Sequence, residues 1–305
     1  MAGKDITEKA LEALDDVFAD IINVLLFNGE EIVKESELEQ GRERGYYVGK
    51  EGVREYERDT SKFWRQNNIR ISYLGIENET EPEDDMPFRV IGYDGAGYRD
   101  QINYYKGEDG KRHKSMLRYP VITLVLNLNY KKKWDKARSL HEALGDRIPE
   151  RLRTYVKDYE LNIFDIAFLS EEKIKMFKSD FGIVADYLYQ MRVNADYKPS
   201  EEIITHVREI LDFMSIVTDD VRFKEVTEEM LKGDEPKNMC TVLDKVENRG
   251  RIKGRQEERQ ETGDLLNYLW SNGRGEEAKK AVLDQELFDK LFAEFKAIST
   301  AANTQ

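Results

Sequence analysis

The stretch from residue 57 to residue 80 constrains the fold of this 305-residue chain most strongly. β-Branched and aromatic side chains recur at every second position of residues 69–76, and this period predicts a strand. Residues two apart on a strand face the same way, so Glu77 and Glu79 at its end are predicted to point together. A strand that ends in two neighbouring carboxylates is the organising feature of the sequence.

A third carboxylate, Asp59, precedes this strand. Residues 54–63 are predicted to form a strand that carries Asp59, and residues 66–68 to form a turn into the next strand, which gives an antiparallel hairpin. Such a hairpin brings Asp59 close to Glu77. The resulting oxygen-rich pocket suits Mg²⁺ or Mn²⁺ rather than zinc, and without a cation the carboxylates would repel one another.

An Asp followed by Glu-x-Glu at the end of a strand resembles the motif of the PD-(D/E)XK nuclease superfamily. Within it, the chain looks most like the Rpn-type bacterial proteins labelled PD-(D/E)XK nuclease family transposases. The resemblance runs through DVFADIINVLLF, ERD…IENET, MPFRVIGYDGAGYRDQ, RYPVITLVLNLNYKKKW, FKSDFGIVADYLYQMR and NMCTVLDKVENRGRIKGR. It implies an α/β fold with a restriction-endonuclease-like core, a mixed central sheet flanked by helices, followed by a mainly helical C-terminal region.

The resemblance also implies a metal-dependent DNA endonuclease, linked to recombination or mobile elements, that hydrolyses phosphodiesters. Asp59, Glu77 and the backbone carbonyl of Asn78 would hold Mg²⁺ or Mn²⁺. The family usually has Lys or Gln where this chain has Glu79. Glu79 would then act as a general base, help to bind a second metal, or mark a weakened enzyme. The alternative function is therefore a nucleic-acid-binding or regulatory protein that retains the fold without efficient cleavage.

Apolar residues at helical spacing predict a first helix over residues 6–27. Asp16 and Asp20 share one of its faces because they are four residues apart. The resemblance implies that an acidic residue of this helix joins the catalytic cluster, and Asp16 of the DDVF segment is matched to it. The alternative, that both aspartates are solvated surface charges, stays open.

A second helix is predicted to start after Asp85, with Pro87 in its first turn, and to continue to about residue 105. Arg89 and Gln101 lie on one ladder of this helix and are predicted to face the scissile phosphate. A surface salt bridge of Arg89 is the competing interpretation.

The net charge of −13 is unfavourable for a nucleic-acid partner, but the charge is unevenly distributed. Residues 106–138 contain ten Lys and Arg against three Asp and Glu, whereas residues 1–56 contain seven against fourteen. A basic face is therefore compatible with an acidic protein. Lys131, Lys132 and Lys133 are candidates for binding DNA, and a solvated turn after a strand is the alternative.

Residues 119–130 are predicted to form a buried central strand, in which Asn127 and Asn129 carry little signal. Residues 28–50 are interpreted as one strand and a long loop, and residues 159–169 as another extended segment. The remainder is predicted to be mainly helical.

Four regions are predicted along the chain: a nuclease-like core (1–170), a helical extension (171–234), a charged linker or helix (235–261) and a small helical segment with a disordered tail (262–305). Residues 241–261 are interpreted as a solvated helix or mobile segment rather than a DNA-binding helix, because their charges nearly balance. The amphipathic C-terminal helices could dock on the body of the protein or mediate homo-oligomer formation.

Several classes of protein are disfavoured by composition. No apolar run approaches the length of a membrane span, and the acidic N-terminus lacks the apolar region of a secretory signal, so a cytoplasmic location is predicted. The single cysteine, Cys240, excludes an internal disulfide. The three histidines show no zinc-ligand spacing.

Overall fold

The computed structural model describes residues 11–41, 44–49, 52–57, 59–67, 69–194, 197–232 and 237–302, with backbone only at 44–49, 52–57, 257 and 297–302. The chain divides into two units, Met1–Val242 and Leu243–Gln305. The boundary after Val242 falls inside the charged segment predicted at 235–261.

The first unit is an α/β structure. Its strands are β1 (Leu38–Gln40), β2 (Arg44–Gly49), β3 (Gly52–Glu57), β4 (Thr60–Gln66), β5 (Ile69–Glu79), β6 (Tyr104–Lys106), β7 (Arg112–Lys114), β8 (Val121–Asn127) and β9 (Asn162–Asp165). Its helices are α1 (Asp15–Phe27), α2 (Met86–Asp100), α3 (Leu140–Leu144), α4 (Glu150–Arg153), α5 (Glu171–Ile174), α6 (Phe181–Asn194), α7 (Val207–Val217) and α8 (Arg222–Lys232). Short 3₁₀ helices occupy Glu35–Glu37, Gly145–Arg147 and Ile166–Phe168.

A mixed five-stranded sheet forms the centre of this unit, in the order β1-β4-β5-β8-β9. β4 is antiparallel to both β1 and β5, whereas β5, β8 and β9 are parallel to one another. The predicted hairpin between β4 and β5 is confirmed. Asn67 at its turn adopts the left-handed conformation, with a φ of 49°. The mixed central sheet predicted from the sequence is therefore present.

Two predictions for the region before β5 are wrong. Residues 54–63 do not form one strand, because β3 pairs with β2 in a separate ladder and β4 pairs with β1 and β5. Asp59 lies between these two strands, where the chain changes its pairing partner. Residues 28–50 contain a 3₁₀ helix and two strands rather than one strand, since β1 and β2 belong to different sheets.

Buried apolar side chains lie on α1 and around β8, where Met86 and Val90 of α2 pack with Val125. Val17, Phe18, Ile21 and Ile22 of α1 are fully buried, as their helical spacing predicts. β8 is an inner strand between β5 and β9 and is buried over almost its whole length. The buried strand predicted at 119–130 is thus confirmed, although its ladder covers only 121–127.

The start of α1 and the end of α2 differ from the helix bounds that the sequence predicts. Leu11 and Glu12 are helical, but Ala13 and Leu14 interrupt the helix before α1 starts at Asp15; residues before 11 lie outside the described part. α2 starts with Met86 and Pro87 as predicted and ends at Asp100, because the chain then turns into the β6–β7 hairpin rather than continuing to residue 105.

Lys62, a buried lysine on β4, contacts the helix interruption at Ala13 and Leu14. The side chain of Lys62 is 2% exposed, and its Nζ donates to the Ala13 carbonyl at 2.6 Å and to Asp15 Oδ1 at 2.5 Å. A buried ammonium is tolerated when it is paired and hydrogen-bonded. Lys62 therefore ties the start of α1 to the sheet.

The second unit is helical and contains most of α9 (Met239–Ser271), followed by α10 (Gly275–Ala281) and α11 (Gln285–Ala302). Residues 241–261 are helical throughout, in agreement with the solvated-helix interpretation. Its apolar residues pack on one another, with Leu265, Leu269 and Leu291 buried. The tail predicted to be disordered is helical as far as Ala302. No helix among the described residues is long and apolar enough to cross a membrane.

Candidate functional site

Asp59 stands at the end of the β4–β5 ladder. The last cross-strand pair of this ladder is Thr60 with Ile76, and beyond it Asp59 Oδ2 accepts a hydrogen bond of 2.7 Å from the amide of Asn78. Asp59 is buried. The N–H and C=O of one residue in a strand point toward the same neighbour, so the Asn78 carbonyl also faces Asp59. The predicted proximity of Asp59 to the end of β5 is therefore present.

Glu77 and Glu79 point to one face of β5, as their spacing predicts, and share the guanidinium of Arg89 from α2. Arg89 Nη2 lies 2.9 Å from Glu77 Oε2, and Arg89 Nη1 lies 2.6 Å from Glu79 Oε1. Glu77 is fully buried, while the side chain of Arg89 is 37% exposed. The two carboxylates are thus bridged by one partly exposed cation, and the site opens to solvent on the Arg89 side.

Burial and charge act against each other on these groups. Burial raises the pKa of the Glu79 carboxyl, and the nearby Arg89 offsets this only in part. Burial disfavours the charged form of Arg89, but Glu77, Tyr93 and Glu79 outweigh it and raise the pKa of the guanidinium. Burial, assisted by the charge of Glu77, raises the pKa of the Tyr93 phenol. Arg89 therefore stays charged, and Tyr93 stays protonated near neutral pH.

The acidic residue that contacts β5 from the other face of the sheet is Glu12, not the predicted Asp16. Glu12 is fully buried, and its Oε2 accepts 2.8 Å from Asn78 Nδ2. Asp16 Oδ2 instead lies 2.8 Å from His206 Nε2. The two acids are four residues apart, but the interruption at Ala13 and Leu14 separates them, so helical spacing could not choose between them.

We expect Glu12→Ala to lower the free energy of unfolding by about 1–3 kcal/mol, because the buried Nδ2 of Asn78 would lose its acceptor. The matched change Asp16→Ala should cost only about 0–1 kcal/mol, since its contact with His206 Nε2 is partly exposed. Urea denaturation of both variants measures the difference. Equal losses would contradict the assignment of Glu12 to the β5 site.

Gln101 does not face the carboxylates. Its Oε1 accepts 2.9 Å from the Tyr119 amide, and its Nε2 donates 3.0 Å to the Tyr119 carbonyl. The amide of this buried side chain thus bonds to both backbone groups of Tyr119, in the way that a neighbouring strand would. Gln101 is thus separated from Arg89 along α2, and its amide holds the entry to β8.

Lys131, Lys132 and Lys133 follow β8 and are all exposed. β8 is parallel to β5, so the loop after it lies at the same carboxyl edge of the sheet as Glu79. The two segments also touch, because the Leu128 amide donates 2.9 Å to the Glu79 carbonyl. The lysines and the carboxylates thus lie at one edge of the sheet.

Asn127 at the end of β8 and Asn129 just after it shape this lysine loop, although the sequence prediction gave neither residue a role. Asn129 Oδ1 accepts from the amides of Lys131 and Lys132 at 2.9 and 3.1 Å, and Asn129 Nδ2 donates 3.0 Å to the Thr80 carbonyl. Asn127 Nδ2 donates 2.7 Å to Asp165 at the end of β9. Asparagine commonly shapes turns in this way, and its position at the end of a buried strand was the available signal.

No group of three or more His, Cys, Asp and Glu side chains in the described part of the chain has the arrangement of a metal site. Mg²⁺ needs fewer protein ligands, since it is commonly held by one or two carboxylates and keeps several waters. Asp59 and Glu77 supply hard oxygen donors of that kind.

No family model matches the sequence, and comparisons with curated proteins and with solved structures give no match. Function is therefore inferred from the arrangement of this chain's own residues.

Proposed function

We propose that the protein is a DNA endonuclease of the PD-(D/E)XK type, which hydrolyses phosphodiesters with Mg²⁺ or Mn²⁺. The observation that carries this proposal is that Asp59 accepts from the Asn78 amide at the end of β5, where Arg89 bridges Glu77 and Glu79, with the 131–133 loop at the same edge of the sheet. Acidic groups suit a hard cation, and lysines suit a polyanion. A restriction-endonuclease-like fold is in keeping with a mixed sheet that carries these residues at one edge.

Asp59, Glu77 and the Asn78 carbonyl are the groups that would hold the ion. When bound, Mg²⁺ lowers the pKa of a coordinated water and neutralises charge that develops on the phosphate. The Asn78 amide fixes the orientation of the Asp59 carboxylate, because it donates to one of its two oxygens.

Arg89 and Glu79 would act on the substrate and the water. Arg89 is the partly exposed cation of the site and offers a forked donor for a phosphate oxygen. Glu79 lies on the same face of β5 as Glu77, and its carboxylate can accept a proton from the attacking water. Exposed lysines of the loop after β8 would contact neighbouring phosphates, which supply affinity without sequence preference.

One observation favours a second candidate, a DNA-binding or regulatory protein that has lost cleavage. The guanidinium of Arg89 already bridges Glu77 and Glu79, and a fixed positive charge there competes with a metal ion. In this case the same edge of the sheet would bind DNA without cutting it.

A cleavage assay separates the two candidates. The full-length protein is incubated with single-stranded and duplex DNA in Mg²⁺, Mn²⁺ or EDTA, and DNA binding is measured in parallel. Cleavage that requires the metal supports the nuclease. DNA binding with no cleavage in either metal would reject it in favour of the second candidate.

A further inference from the structure

The β6–β7 hairpin is an exposed two-stranded ribbon that the carboxylate site does not use. Its register pairs Tyr104 with Lys114 and Lys106 with Arg112. Residues directly opposite each other, or two apart on one strand, share a face of the ribbon. One face therefore carries one aromatic ring and three cations.

This face carries no carboxylate. The acidic residue of the turn, Asp109, contacts His113, which belongs to the opposite face together with Tyr105. Within the described residues, Lys106, Arg112 and Lys114 form no ion pair. The concentrated positive charge attracts an anionic partner, and charge alone would favour any polyanion.

The aromatic ring narrows the choice of partner. Tyr104 is 51% exposed, and the guanidinium carbon of Arg112 lies 4.2 Å from the centre of its ring. A flat ring stacked with a guanidinium is a surface on which an unpaired base can stack, while nearby cations contact the backbone phosphates. The bases of an intact duplex are already stacked and cannot use such a surface.

We infer that this hairpin binds unpaired nucleotides of a DNA strand. The inference rests on the proposed function, in that it names single-stranded DNA as part of the substrate. α2 joins Arg89 to the hairpin, and the eleven helical steps from Arg89 to Asp100 span ~17 Å, the rise of about five stacked nucleotides. The hairpin thus engages the strand away from the carboxylates.

Binding of fluorescein-labelled oligo(dT) to the full-length protein tests this inference, followed by fluorescence anisotropy in EDTA so that no cleavage occurs. Tyr104→Ala should weaken binding about tenfold through the loss of one stacked base, whereas Tyr104→Phe should bind like the wild type. Lys114→Ala should reduce the slope of log K against log salt by about 0.7.

Two exposed residues of the same unit provide matched controls. Tyr155, 79% exposed, and Arg151 lie on or beside α4, so Tyr155→Ala and Arg151→Ala should leave oligo(dT) binding unchanged. Thermal unfolding of every variant reports whether the substitution disturbs the fold. Tyr104→Ala is used for the binding comparison if its melting temperature equals that of the wild type. If its melting temperature is lower, Tyr104→Ser is used in its place.

Wild-type affinity of Tyr104→Ala for oligo(dT) would overturn the inference, as would an equal loss of its affinity for duplex DNA. Tighter binding of oligo(rU) than of oligo(dT) would overturn the assignment to DNA. The outcome is separate from that of the nuclease proposal. Tyr104-dependent binding by a protein that never cleaves DNA would uphold the hairpin and reject the enzyme, and cleavage without any Tyr104 dependence would do the reverse.

Discussion

Replacing Glu77 with glutamine is expected to lower the rate of Mg²⁺-dependent DNA cleavage by at least about a hundredfold. Glutamine keeps the size of the side chain but removes the negative charge on which the proposed cation site at the end of β5 depends. Asp59→Asn should have a similar effect, because its oxygen still accepts from the Asn78 amide while its charge is lost. Single-turnover cleavage at saturating protein measures the rate.

A second readout separates loss of metal binding from loss of another function. Calorimetric titration with Mn²⁺ should show weaker binding for Glu77→Gln than for the wild type. Glu81→Gln is the matched control, since Glu81 is an exposed glutamate just beyond β5. Cleavage by Glu77→Gln and Asp59→Asn at the rate of this control would remove both residues from the active site.

Arg89→Ala is expected to lower the free energy of unfolding by about 3 kcal/mol. The change leaves the fully buried Glu77 and the nearly buried Glu79 without the cation that bridges them. This value is the lower end of the range for breaking a buried ion pair, because Arg89 is itself partly exposed. Chemical denaturation without metal ions measures the loss.

The same variant reports on the ion. If a divalent cation and the guanidinium compensate the same carboxylates, Mg²⁺ should raise the melting temperature of Arg89→Ala more than that of the wild type. Arg99→Ala is a suitable control, because Arg99 is an exposed arginine of the same helix. An equal response to Mg²⁺ in all three proteins would show that no ion binds beside Arg89.

The local part of the site could be predicted from the sequence. The period of two in β5 gave both the strand and the common direction of Glu77 and Glu79, and the turn before β5 placed Asp59 near its end. These features depend on residues close together in the chain. Local pattern is sufficient for them because the β4–β5 hairpin forms between neighbouring segments.

Contacts between distant segments could not be predicted. The ladder on α2 placed Arg89 and Gln101 on one face, but only the packing of α2 against the sheet shows that Arg89 meets two carboxylates and Gln101 meets Tyr119. Likewise, Glu12 and Asp16 have the same helical spacing. Glu12 contacts Asn78 and Asp16 contacts His206 because the helix is interrupted at Ala13, and no helix propensity indicated this interruption.

The buried Lys62 links the candidate site to contacts on the opposite face of the sheet. Its ammonium holds the Ala13 carbonyl, next to Glu12, and Glu12 in turn holds the Asn78 side chain. A change at Lys62 would therefore reach Asn78 without touching any of the three carboxylates at the end of β5. The positions of the acidic residues thus depend on contacts at both faces of β5, and the buried Lys62 contributes to them.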